Sequence, residues 1–175
     1  LAANEDFSVI TKVEGSDCQR LLYGTSGAKT TTISFWVKSS IAGTFSLGIY
    51  QTDGNDHIAK PYTISSADTW EHKTVTFPGN TLATINDDST EGLQIQWFIA
   101  SGTNSTTGSN GDVWGHYDQT KWAFGHVTNT HITTDESTFQ LTGVQFELGE
   151  VATPFELIPV ADDLARCQRY LFVPV

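Results

Sequence analysis

Five histidines, twenty acidic residues and two cysteines are the side chains here that could transfer protons, ligate a metal or attack a substrate. Their spacing assembles no catalytic device. His57, His72, His116, His126 and His131 are scattered. His126 and His131 stand five apart, and no Cys or acidic residue completes a metal-ligand pattern around them. The pairs Asp87-Asp88 and Asp135-Glu136 offer the carboxylates of a glycosidase, but both lie in turn-like sequence, where solvated acids are expected. There is no Gly-rich phosphate loop, no Gly-x-Ser-x-Gly elbow and no zinc-protease motif. The sequence therefore reads as a non-enzyme, without cofactor or resident metal. Cys18 and Cys167, near opposite ends, read as two buried thiols rather than a disulfide.

The chemistry on offer is recognition. Trp36 and Tyr50 fall at the polar parity of their strands, and Gln94 and Gln96 take the same parity in a third. Trp114, Tyr117 and Trp122 stand in the Gly-, Ser-, Thr- and Asn-rich stretch from Ser101 to Ala123, where turn chemistry needs no aromatics. Flat rings stack on the C–H faces of sugars, and amides and carboxylates bond their hydroxyls. Trp36, Tyr50, Trp114, Tyr117 and Trp122 are thus the candidate ligand-binding residues. The competing expectation is that the loop folds over the sheet and its rings form a second small core.

The elements that must position these rings are strands. Ile33, Phe35 and Val37 alternate with polar residues over Thr31 to Lys38; Phe45, Leu47 and Ile49 do so over Thr44 to Gln51. Leu93, Ile95, Trp97 and Ile99 alternate with Gln94, Gln96 and Phe98. Weaker strands are Phe7 to Val13, Tyr62 to Ile64 and Trp70 to Phe77. In Thr138 to Leu148 the parity changes at Gly143, which predicts a β-bulge or bend. Such strands predict an all-β fold, an antiparallel jelly-roll β-sandwich over residues 1–159. A single short C-terminal helix is expected from Val160 to Leu171. Asp162 and Asp163 open it and Arg166 and Arg169 close it, in accord with the helix dipole. Its stripe of Leu164, Cys167 and Leu171 is expected to dock, within residues 160–175, on the sandwich or on a neighbouring protomer.

Nine basic against twenty acidic residues give a formal charge of −11, which opposes binding to phosphate backbones and anionic membranes. No apolar run reaches the length of a membrane span. The 175 residues suffice for one domain with a real core. Because the chain opens on Leu1, it reads as a piece of a longer protein.

One resemblance spans nearly the whole sequence. It begins with Lys12-Val13-Glu14-Gly15, Leu22-Tyr23-Gly24-Thr25 and the run from Thr31 to Ser40. It continues from Thr69 to Gly79, and ends with Phe139 to Glu147, Ala152-Thr153-Pro154-Phe155-Glu156 and Cys167-Gln168-Arg169-Tyr170. Together these resemble the C-terminal domains of tailed-phage structural and tail-fibre proteins, jelly rolls similar to carbohydrate-binding modules. The stretch from Ser101 to His131 departs from that pattern. The resemblance implies a virion protein of the phage tail, attached to a host surface glycan, with other tail proteins and copies of itself, as a homotrimer, for partners. The alternatives are a purely structural trimerising joint or cap, and a carbohydrate-binding module attached to a glycan-degrading enzyme.

Overall fold

A computed structural model of the chain describes residues 1–168. β1 (Asp6–Glu14) runs into a single helical turn, α1 (Gly15–Cys18). β2 (Thr31–Ser39), β3 (Gly43–Gln51), β4 (Asp56–Ile64), β5 (Glu71–Phe77) and β6 (Glu91–Ser101) follow, and then the short β7 (Gly115–His116), β8 (Phe139–Leu148) and the helix α2 (Val160–Gln168). They form two antiparallel sheets, a five-stranded one in the order β1-β6-β3-β4-β7 and a three-stranded one in the order β5-β2-β8. The protein is an all-β sandwich, as the alternation predicts.

The core lies between the sheets because the alternating apolar residues of both layers turn inward. Ile33, Phe35 and Val37 of β2 meet Phe45, Leu47 and Ile49 of β3 and Leu93, Ile95 and Trp97 of β6. Phe35 sits edge-on to Tyr62 at 5.2 Å and to Trp97 at 5.8 Å. Full burial of such a side chain contributes about 1.5–3 kcal/mol over leaving it exposed.

β4 is longer than the Tyr62 to Ile64 segment expected, because it begins at Asp56. Its first half is covered on both faces, which erases the alternation, and Pro61 lies where β4 is an edge strand and a missing N–H is tolerated. The parity change in β8 is a β-bulge: the register against β2 shifts between Ser34 and Trp36, and Gly143 takes φ +58°, a left-handed conformation natural to glycine.

Cys18 is buried and Cys167 exposed, and no disulfide joins them. Burial and the neighbouring Asp17 push the Cys18 thiol up to about 12, which leaves it inert. The expectation of two buried thiols fails at Cys167 because α2 buries none of its residues; Leu164 is likewise exposed. Leu171 lies outside the described residues. Among the described residues, no helix is long and apolar enough to cross a membrane.

Candidate ligand-binding surface

The polar segment between β6 and β8 is not a free loop. It crosses the outer face of the five-stranded sheet and is tied down there. The Ser46 hydroxyl donates to the Phe124 carbonyl at 2.9 Å, and the N–H of Ala59 donates to Gly111 at 2.9 Å. The N–H groups of Val127 and Thr128 both reach the Thr44 carbonyl, at 3.1 and 3.0 Å. Under this cap lies Phe98, fully buried although it sits at the polar parity of β6, with the Trp122 ring edge-on to it at 5.9 Å.

Three of the candidate rings converge on this face. Trp122 is 5.6 Å from Tyr50 and 5.2 Å from Tyr117, both edge to face, and Tyr50 and Tyr117 are 6.1 Å apart. His57 lies beside them, its ring 5.7 Å from both Tyr117 and Trp122. Each such ring pair contributes about 0.5–1.5 kcal/mol beyond the area it buries. The hairpin carrying Tyr50 and His57 is pinned from below. Asn80 donates to Gln51 at 2.7 Å and to Asp56 at 3.0 Å, with all three side chains buried.

A chain of hydrogen bonds fixes Tyr117. Its hydroxyl donates to the Gln119 side-chain carbonyl, and the Gln119 amide donates to the Ser105 hydroxyl at 2.6 Å. The hydroxyls of Ser105 and Ser101 both donate to the Asp6 carboxylate. Burial, with the charge of Asp6 added, raises the Tyr117 pKa, so the phenol remains a donor. Tyr50 donates to Asn55 at 2.8 Å. Gln94, the cross-strand neighbour of Tyr50, donates to Gln96 at 3.2 Å, and Gln96 to Ser8 at 2.9 Å, which sets a row of amides beside the rings.

Burial lowers the pKa of His57, partly offset by the Lys121 main chain and the carboxylates of Asp118 and Asp56. Neither ring nitrogen meets a partner in hydrogen-bonding geometry. The imidazole is therefore a neutral packing element. Among the described residues, no group of three or more His, Cys, Asp or Glu is placed to hold a metal ion.

The other two candidate rings lie elsewhere. Trp114 packs edge-on to Tyr23 at 5.6 Å, and its indole N–H donates to the Pro78 carbonyl at 2.6 Å. Trp36 is on the opposite layer, on the outer face of the three-stranded sheet, 5.2 Å from His72. Sequence reasoning missed His57, Phe98, Asp6, Gln119 and Ser105 as parts of the cluster. Phe98 carried a signal, since a Phe at the polar parity of a strand implies a cover.

No family model, curated protein or solved structure matches the chain. The site's chemistry rests on its own geometry: half-exposed rings held rigid by their neighbours, flanked by amides and hydroxyls. That combination suits stacking on an apolar face while hydrogen-bonding to hydroxyl groups.

Proposed function

We propose that this domain is a non-catalytic attachment module of a phage virion, a tail-fibre or baseplate domain that binds a host surface glycan through Tyr50, Tyr117 and Trp122. The observation that carries the glycan reading is the rigid ring cluster beside the Gln94–Gln96 row, with Tyr117 still 39% exposed. Tyr and Trp present a large, stiff contact area at low entropic cost, which a sugar-binding surface requires. The virion location rests on the resemblance of residues 12–15, 22–25, 31–40, 69–79, 139–147, 152–156 and 167–170 to tail proteins. A second reading, a structural joint built as a homotrimer, is favoured by one observation: α2 shows its Leu164 and Cys167 stripe to solvent in the single chain.

The test measures binding to bacterial surface polysaccharides together with thermal stability, for Trp114→Ala and Trp122→Ala. The expected result is lost binding in Trp122→Ala and retained binding in Trp114→Ala. Unchanged binding in both, with a lowered melting temperature, would reduce the cluster to packing. Sedimentation of the protein at high micromolar concentration separates the joint reading: a monomer there contradicts the trimer.

A further inference from the structure

The outer face of the three-stranded sheet is covered at one end only. There the chain after β8 turns back across it. The Thr32 hydroxyl donates to the Gly149 carbonyl at 2.7 Å, and Gln145 donates to the Thr153 hydroxyl at 3.0 Å and accepts from the Glu156 N–H at 2.8 Å. Glu147 accepts from both the N–H and the hydroxyl of Thr153.

The other end is bare and aromatic. Trp36 is 43% exposed and Trp70 is 42% exposed. A solvated sheet face is ordinarily polar, and two large indoles left there without cover are unusual. The bulge in β8 makes room for one of them: a Cβ on Gly143 would stand 3.2 Å from Cδ1 of Trp36. Lys38 holds its ammonium 5.8 Å from the centre of the Trp70 ring and makes no ion pair among the described residues. Lys38 thus sets a cation without an ion-pair partner beside the exposed Trp70 ring.

We infer that this end of the sheet is a second glycan-binding surface, for a carboxylate-bearing sugar. The C–H face of the pyranose stacks on Trp36 and Trp70, and its carboxylate lies against Lys38. Charge complementarity selects this occupant. A neutral sugar has no use for the cation, whereas a carboxylate on a sugar stacked against Trp70 would pair with it. The surface is on the opposite layer from Tyr50, Tyr117 and Trp122, so neither needs the other.

The test is retardation of the intact protein in gels containing polygalacturonate, alginate or polysialic acid, with dextran and galactan as neutral controls. The expected result is retardation by at least one acidic polymer. It should weaken about tenfold in Trp70→Ala, in Trp36→Thr, which keeps a strand-forming residue, and in Lys38→Gln. No retardation by any acidic polymer overturns the inference, as does unchanged retardation in the natively folded Trp70→Ala protein. Retardation lost in Trp122→Ala alone would leave the first glycan surface standing and remove this one. Self-association that disappears in Trp36→Thr would assign the face to a second copy instead, and would overturn it too.

Discussion

Tyr50 and Trp36 start from the same position in the code of a strand, an aromatic residue at the polar parity, and end in opposite circumstances. Over Tyr50 the segment between β6 and β8 returns across the sheet and adds Tyr117 and Trp122, so the rings settle edge to face above Phe98. Over Trp36 the chain after β8 turns back too early and covers only the Thr32 end, which leaves Trp36 and Trp70 open. What separates the two regions is where the following chain goes. The covered rings contribute to stability by packing on one another, and the open ones leave their surface to solvent.

The sharpest way to break this comparison is Trp122→Ala. It removes a ring packed against Tyr50, His57, Phe98 and Tyr117, and should cost about 2–4 kcal/mol in urea unfolding, a little below a fully buried Trp. A loss below about 0.5 kcal/mol would show that the cap does not pack as described.

Next in size is Asp6→Ala, which touches no ring. It strips Ser101 and Ser105 of their shared acceptor and loosens the tie to Gln119 and Tyr117. A loss of about 1.5–3 kcal/mol is expected, with faster proteolytic cleavage between residues 102 and 138 than elsewhere.

Acid should discriminate the two regions as well. Burial lowers the pKa of His57, under the cap, and of His126 and His131, which pack against Phe45 of the core. A depressed histidine pKa means that the unfolded chain binds the proton more readily. The stabilisation is therefore fully present above the ordinary value of 6.5 and is lost as pH falls through the lower folded values. The melting temperature should drop between pH 7 and pH 5, and His57→Gln should flatten part of that fall. A melting temperature that rises with acid would contradict the burial of these rings.

The smallest effect is expected from Trp70→Ala. Its indole is exposed, and unfolding free energy should move by no more than about 0.5 kcal/mol. A loss comparable to that of Trp122→Ala would erase the distinction between the two surfaces.

Much of this fold was legible because period-two alternation survives wherever one strand face is wet. β2, β3 and β6 follow from Ile33 to Val37, Phe45 to Ile49 and Leu93 to Ile99 with their inward faces correct. The first half of β4 was hidden because His57, Ile58 and Ala59 are buried in succession. That Tyr50 and Gln94 both take the polar parity of their strands was also legible; that they are cross-strand neighbours was not. Parity does not say which sheet a strand joins, so Trp36 was grouped with Tyr50 although they lie on opposite layers. The cap could not be read, because isolated main-chain bonds such as Phe124 to Ser46 and Gly111 to Ala59 hold it, and they leave no periodic trace.

The indole N–H resonances of the five tryptophans test the central claim most directly, because one spectrum reports both regions and the core together. During titration with fragments of bacterial surface polysaccharide, the Trp122 signal should shift. Trp97, buried between the sheets, and Trp114, bonded to Pro78, should stay in place. Indoles that never move, or Trp97 and Trp114 moving in step with Trp122, would contradict a glycan site on the covered face.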